Sequence, residues 1–527
     1  MVQRRGVYGP LSRLLFHQTQ GRQTTFGNNV STQKTDGSAT LLSPNTASNT
    51  YYEFKDIPGP RPSVPFIGTA WQYFPGGRYS LSNVFEASND KFRRYGSVSK
   101  EEFQWRKPVV HLFSPSDFEM VAASQGDKPI RPISDFLKHY RQNRPEKYDS
   151  VGLANSLGDE WARLRKILMP VFNRLNGMES FKDDINNICD DFVELIRRER
   201  DGATCVVNNL QDYLYRLALE GVYMLCLEAR LGCLQGNLKP DSPASTMIHS
   251  VKLLFEAFQE LYYGLPVWKF YPTSAYKKLD KAESIMYEAT SNRIQEVMEE
   301  LRKRKSKPID ERGVLETLLH MDCITDKTTK VTIIDFISGG IFTVTNAFCF
   351  LLCHMAKHPE VQETLYQKLR EVIPEGSRIG SDIGNTVPFL RHCIKESFRL
   401  TPTIPTITRI LNTDIVASGY HIPSGVPLFC NFTVPCKQSQ FFSDPERFRP
   451  DRWYTCPRQP FLMLPFGFGS RMCVGRRFAE TEMHTALAKL ILNFKLESTG
   501  EEVKCKQAFI IVPSHPVSIV FKERNKC

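Results

Sequence analysis

Between Lys330 and Lys357 the chain is long and apolar, yet Asp335, Ser338, Thr343 and Asn346 interrupt it. A bilayer-spanning helix needs about 18–20 uninterrupted apolar residues, and no segment of the sequence supplies them. A helix as apolar as 331–355 must then be covered by other protein on nearly every side. That requirement selects a large, mainly helical domain built around it. With 41% hydrophobic and 24% charged residues the chain can bury such a core, which excludes a disordered one. The length of 527 residues would allow about three or four domains by size alone. No repeat and no interdomain linker follows residue 57, so one domain over 57–527 is expected.

Helical periodicity dominates. Ile294, Val297, Met298 and Leu301 share one face, and the basic run 302–305 reads as the solvated end of that helix. Strand signals are fewer. Residues 415–420 and 426–430 flank Pro423-Ser424-Gly425, and 508–512 and 517–521 flank Pro513-Ser514-His515-Pro516, so both read as hairpins. The expected fold class is mainly α with a small β region. Ile57-Pro58-Gly59-Pro60-Arg61-Pro62 forms a stiff, turn-rich start to it.

The net charge is +11, from 68 Lys+Arg and 57 Asp+Glu. Arg4, Arg5, Arg13, Arg22 and Lys34 precede the first acid, Asp36, with Leu11, Leu14, Leu15 and Phe16 among them. An Arg-rich, acid-free, hydroxyl-rich start of this kind predicts a mitochondrial transit peptide over 1–35, followed by a flexible lead-in over 36–56. No secretory apolar stretch is present. The 14 Cys lack regular spacing and read as reduced intracellular thiols. The remaining positive charge implies an acidic partner.

The sharpest local feature is Phe466-Gly467-Phe468-Gly469-Ser470-Arg471-Met472-Cys473-Val474-Gly475. Gly467 and Gly469 permit tight turns. Backbone N–H groups, Arg471 and the start of a following amphipathic helix (Leu487, Leu490, Ile491 and Phe494 on one face) would all favour a thiolate at Cys473. The spacing departs from a dinucleotide fingerprint, because Met472 stands where the last Gly would be. Taken by itself, the segment also fits a buried Cys in a glycine turn.

The pattern F-x-x-G-x-R-x-C-x-G, filled by Phe466, Gly469, Arg471, Cys473 and Gly475, resembles the haem-thiolate signature of the cytochrome P450 superfamily. The resemblance implies a single haem-thiolate fold, haem b as cofactor, and Cys473 as the axial iron ligand. Further segments resemble the family in the right order. Glu396 and Arg399 match its E-x-x-R, and Arg452, before Trp453, its P-x-R-W arginine; Arg447 is a decoy in Pro445-Glu446-Arg447-Phe448. A shared helical face would let Glu396 and Arg399 form an ionic network with Arg452. Trp161 and Arg165, four apart, resemble the haem-propionate pair, and Arg409 a further propionate contact.

Ser338-Gly339-Gly340-Ile341-Phe342-Thr343-Val344 resembles the family's oxygen-side helix. The resemblance implies that Gly339 and Gly340 let the helix bulge open for O2 and that Thr343 organises protons. Phe342 replaces the family's acid, and Val344 its second hydroxyl residue. Protons would then come through water held by Thr343, Thr345 or Asn346, or from a substrate hydroxyl. Alternatively the protein is a haem-thiolate isomerase or dehydratase that needs no electron donor.

One haem domain and a leader account for the chain, so electrons are expected from another protein. Gly475-Arg476-Arg477, with Arg391 and Lys395 on the E-x-x-R helix, resembles the mitochondrial class served by an adrenodoxin-type ferredoxin. NADPH would act only indirectly, through ferredoxin reductase. Arg391, Lys395 and Arg477 would form the docking patch, so the acidic partner is this ferredoxin rather than nucleic acid. The class implies the matrix side of the inner mitochondrial membrane, with peripheral membrane association. Stretches including Tyr262-Tyr263-Gly264-Leu265, Trp268-Lys269 and 333–337 resemble arthropod ecdysteroid-pathway members. They imply a lipophilic steroid substrate; another mitochondrial sterol or xenobiotic hydroxylase is the alternative. The aromatics of 251–278 lie where the family has its roof, although each alone reads as core. His354 and His358 have metal-like spacing, but they sit at a helix end before Pro359.

Overall fold

The structure is a computed structural model that describes residues 51–104, 106–173, 181–263, 266–303, 308, 312–456 and 459–524. The expected transit peptide, residues 36–50 of the lead-in, Gly264-Leu265, and Arg304-Lys305 of the basic run lie outside the described residues.

The chain begins with α1 (Val84–Tyr95), β1 (Val98–Gln104), β2 (Lys107–Leu112), α2 (Pro115–Ser124), α3 (Asp135–Gln142) and α4 (Gly158–Asn173). Next come α5 (Lys182–Glu199), β3 (Val206–Val207), α6 (Leu210–Leu227), α7 (Pro243–Tyr263), α8 (Ser274–Lys303), α9 (Val314–Leu319) and α10 (Asp326–Lys357). Then follow α11 (Pro359–Val372), α12 (Ile383–Thr386), α13 (Pro388–Leu400), β4 (Ile407–Ile410), β5 (Ile415–Ala417), β6 (Tyr420–Ile422) and β7 (Pro427–Cys430). The last elements are α14 (Arg452–Thr455), α15 (Arg476–Asn493), β8 (Phe494–Ser498), β9 (Cys505–Ala508), β10 (Ile510–Pro513) and β11 (Ile519–Glu523).

The apolar segment is α10. The Thr325 hydroxyl accepts from the Thr328 N–H at 3.0 Å and caps its start, and Pro359, which opens α11, cannot continue it. By length and composition alone α10 could cross a membrane. Instead it runs through the core, packed on α6, α7, α8, α13 and β8. Its interruptions are satisfied inside the protein. Asp335 pairs with Arg141 of α3 at 2.7 Å, and Arg141 also grips Glu283 of α8 at 2.9 Å. That buried network joins α3, α8 and α10, and its partners are too far apart in the chain for any local pattern to reveal.

Both expected hairpins are corrected. β5 pairs with β6 around Ser418 and Gly419, whose φ values are 47° and 81°. The two-residue turn therefore lies inside the expected 415–420 strand. β7 joins another sheet, parallel to β2 and antiparallel to β4. Near the C-terminus the turn falls at Phe509 (φ 64°), between β9 and β10, while β11 pairs with β3 and β8. Partner choice followed long-range packing, not the Pro/Gly clusters. The lead-in also ends earlier than expected. The Tyr52 N–H donates to the Gly419 carbonyl and its own carbonyl accepts from the His421 N–H, both at 2.9 Å, so residues 51–56 already belong to the fold.

α15 is buried almost all round, not amphipathic. Leu487, Leu490 and Ile491 are buried as expected, as is Phe494, which instead opens β8, but so are Glu482, His484, Thr485 and Lys489. Helices α5, α11, α12 and α13 enclose it. Among the described residues neither Glu482 carboxylate oxygen has a hydrogen-bond partner. A Cβ on Gly221 of α6 would sit 2.1 Å from one of them, so that glycine makes the space. Burial without a partner pushes Glu482 up to about 8. Because this is above the unfolded value, the neutral form's stability is complete below about pH 4.3 and is lost as pH rises through 8. Glu482→Gln should flatten that slope and stabilise the protein at pH 8 by a few kcal/mol, roughly. Denaturant midpoints of both proteins at pH 6 and pH 8 check this.

Candidate active site

Cys473 sits in the loop before α15. Gly467 and Gly469 have φ of 74° and 65°, left-handed values that side chains resist. At Gly469 a Cβ would also lie 2.2 Å from the Gln125 amide nitrogen. The Cys473 N–H donates to the Phe466 carbonyl at 2.9 Å and closes the loop. Phe466 braces it from below, edge-on to Phe398 of α13 at 5.4 Å. Cys473 is exposed in this loop, with protein packed closely around it. Burial raises its pKa, opposed by the Gly475 N–H and then by Arg165 and Arg476. The expected role of Arg471 beside the sulfur is thus corrected. Its guanidinium turns away, donating to the carbonyls of Pro129 (3.0 Å) and Ser156 (2.9 Å) over the Trp161 ring.

Behind the loop, Glu396, Arg399 and Arg452 meet as the sequence implied. Arg399 grips both Glu396 oxygens at 3.0 and 2.8 Å, and Arg452 Nε donates to the same carboxylate at 2.9 Å. Their remaining donors reach the carbonyls of Cys436, Ser443, Asp444 and Arg447. Arg447 contributes only its backbone to this network, and its side chain is exposed. The Glu396 carboxylate places α14 here, collecting two guanidinium groups and the Arg449 N–H.

Above the sulfur lies an excess of positive charge. Arg165 donates to the Met472 carbonyl at 2.8 Å, and Arg409 to Gln125 at 3.0 Å and the Phe468 carbonyl at 3.1 Å. A fourth guanidinium, Arg131, was missed by the sequence reading. It is enclosed between Pro129 and Pro132, and its buried Nε has no partner among the described residues. Burial lowers its pKa, and the Asp335 carboxylate opposes that shift. Burial and the Arg131 charge push Arg409 down to about 10; burial and its arginine neighbours push Arg471 down to about 8. Four clustered arginines whose donors go to neutral groups, with one left over, fit a dianionic ligand. Haem b, with two propionates, matches that demand. Cys473 would hold its iron, and Trp161, Arg165, Arg409, Arg471 and Arg131 would surround the propionates. Bound there, haem b would supply the O2-activating chemistry that adds one oxygen atom to a C–H bond.

On the oxygen side the expected bulge is absent: α10 stays regular through Gly339 and Gly340. Space comes from the missing Cβ atoms. Gly339 is exposed with nothing within 4 Å of where its Cβ would be, whereas one on Gly340 would press at 3.0 Å on Val222 of α6. The Thr343 hydroxyl donates to the Gly339 carbonyl at 2.6 Å and remains half-exposed. Phe342 turns away and stacks on Phe255 of α7, with centroids 4.0 Å apart and planes 9° apart. Of the other proposed water-holders, Thr345 is buried and Asn346 donates to the Phe342 carbonyl at 2.8 Å. Thr343 alone faces open space. Phe342→Glu would therefore bury a carboxylate against Phe255 and loosen α7; limited proteolysis should show faster cleavage. Thr343→Val should leave the fold intact but lower product formed per NADPH by roughly tenfold or more, with peroxide rising in its place.

Arg391 and Lys395 are exposed on α13, and Arg477 is exposed at the start of α15. His354 is half-buried, bonded to Thr401 at 3.1 Å and stacked on Phe448, and no group of described residues forms a metal cluster.

The cytochrome P450 family matches residues 58–521. Ecdysone 20-monooxygenase of Drosophila melanogaster is 32% identical over 499 residues, 92% of each chain. The Drosophila protein named cytochrome P450 302a1, mitochondrial, is 30% identical over 483 residues, 90% of this chain and 96% of that one. Cytochrome P450 CYP12A2 of Musca domestica is 29% identical over 504 residues, 91% of this chain and 93% of that one. With a thiol loop and a cluster of arginines beside it, and the family matched over residues 58–521, the chain belongs to the cytochrome P450 family and is a monooxygenase whose relatives include mitochondrial proteins.

Proposed function

We propose that this monooxygenase hydroxylates a steroid, ecdysone to 20-hydroxyecdysone, on the matrix side of the inner mitochondrial membrane. The observation that carries the reading is the 32% identity to ecdysone 20-monooxygenase across 92% of both chains. The roof supports it. Phe136, Phe255, Phe258, Tyr262 and Phe509 form a continuous aromatic set with centroids 5.2–6.0 Å apart. Such a surface suits a flat, apolar polycycle. Substrate hydroxyls would supplement Thr343 in delivering protons, because Phe342 supplies none. Exposed Val267, Phe270 and Tyr271 between α7 and α8 support peripheral membrane contact.

Electrons come from an adrenodoxin-type ferredoxin docking on Arg391, Lys395 and Arg477, reduced in turn by ferredoxin reductase and NADPH. Ferredoxin-supported turnover should fall steeply as salt rises from 50 to 300 mM, roughly tenfold; a flat response counts against this docking. The deciding experiment is turnover of ecdysone with ferredoxin, its reductase and NADPH, with products identified by mass spectrometry. Formation of 20-hydroxyecdysone supports the reading. A substrate-type spectral shift with other sterols or xenobiotics but none with ecdysone overturns the substrate assignment.

A further inference from the structure

We infer that Gln259 is a positioning residue for ligand selection. Its side-chain amide latches the turn of the β9–β10 hairpin to the roof helix α7, and so fixes the Phe509 ring as a rigid part of the wall that a bulky ligand meets. The inference rests on the roof reading above and adds to it the group that holds the roof in shape. Phe509 is the single residue between β9 and β10, whose end residues Ala508 and Ile510 pair across the hairpin. Its φ of 64° is left-handed, a conformation that a residue with a Cβ keeps only where its surroundings over-determine it.

Side-chain amides meet both of its backbone polar groups. The Phe509 N–H donates to the Gln259 side-chain oxygen, and the Phe509 carbonyl accepts from Gln507 Nε2 at 2.9 Å. Gln507 belongs to the hairpin itself, whereas Gln259 reaches across from α7, 250 residues away in the chain. Phe255 and Tyr262, four before and three after Gln259, share its helical face. The Phe509 ring lies 6.0 Å from Phe255, 5.3 Å from Phe258 and 5.8 Å from Tyr262. The amide thus grips the backbone of the residue whose ring its own neighbours surround. Phe255 in turn stacks on Phe342, which precedes Thr343 on α10. Phe509 itself is only half-buried. With the latch cut, its N–H loses an acceptor, and φ is free to return to negative values and swing the ring out of the set. A wall fixed before binding spares a ligand the ordering that a mobile one demands. The latch therefore favours rigid, bulky ligands and leaves small ones at the iron unaffected.

The test uses purified holoenzyme and the variants Gln259→Leu, which removes the acceptor, Gln259→Glu, which keeps it, and Phe509→Ala. The reduced CO-bound spectrum checks the integrity of each. Spectral titrations follow ecdysone, the bulky aromatic azole clotrimazole, and imidazole, which reports on the iron site alone. In Gln259→Leu the dissociation constants of ecdysone and clotrimazole should rise roughly tenfold, while that of imidazole stays within about twofold of wild type. Gln259→Glu should keep wild-type values, and Phe509→Ala should match or exceed the effect of Gln259→Leu. If Gln259→Leu binds the bulky ligands like wild type while Phe509→Ala does not, the latch falls and the aromatic roof stands. If neither variant changes them, both fall. If Gln259→Leu weakens imidazole equally, or Gln259→Glu gives no rescue, the residue is structural only and the inference falls. A wild type that binds clotrimazole but not ecdysone overturns the substrate reading, and the clotrimazole comparison then decides the latch by itself.

Discussion

Cys473→Ala yields a protein whose reduced, CO-bound spectrum lacks the thiolate signature and whose turnover is lower by at least about a thousandfold, some 4 kcal/mol of lost transition-state stabilisation. No other described thiol can stand in. Cys430 and Cys436 are buried and pushed up to about 12, and burial also raises Cys393 well above the ordinary thiol value. Among the described thiols, Cys473 combines exposure with an N–H donor, from Gly475, and two nearby guanidinium groups. The loop itself should survive, because its shape comes from Gly467, Gly469 and the bond between the Cys473 N–H and Phe466. Far-ultraviolet circular dichroism should therefore match wild type. A thiolate signature retained in this variant would sink the assignment of the ligand.

The second large effect is on folding. Glu396→Ala leaves the Arg399 and Arg452 guanidinium groups buried together without the carboxylate that both grip. Removing one partner of a buried ion pair costs about 3–5 kcal/mol, and here two cations lose their counter-ion at once. Against a typical net stability of roughly 5–15 kcal/mol, haem incorporation should fall sharply and aggregation should rise. Glu396→Gln keeps the shape and some hydrogen bonds but not the charge, so it should lie between. The ratio of haem absorbance to protein absorbance after purification, with the thermal midpoint, reads both. Equal behaviour of Ala, Gln and wild type would show that the network does not stabilise this fold.

Residues whose work is local were visible without coordinates. The glycines of the Cys loop, the i, i+3 pairing of Glu396 with Arg399, and the i, i+4 spacing of Trp161 with Arg165 follow from turn and helix geometry. Arg452 was separable from Arg447 because only one of them precedes Trp453. Residues whose work depends on distant partners were misread or missed. Arg131 carried one weak signal, a cation held between two stiff prolines. Arg141 carried none, since Glu283 and Asp335 lie 142 and 194 residues away. Arg471 looked like a companion of the sulfur by adjacency, but the loop's turn carries it to Pro129 and Ser156.

The sequence by itself determined that a glycine-shaped loop presented one cysteine and that Glu396 and Arg399 share a helical face. Each follows from backbone sterics or helical repeat, which act over a few residues. The tertiary structure decided the rest. It enclosed α10 among α6, α7, α8 and α13, where composition alone would also have allowed a membrane. It moved both hairpins by choosing strand partners, and it gathered four arginines from distant segments into one site. It also stacked Phe342 on Phe255. These outcomes depend on which surfaces are buried together and on how charges summed across space are met. Neither quantity has a period or a spacing along the chain.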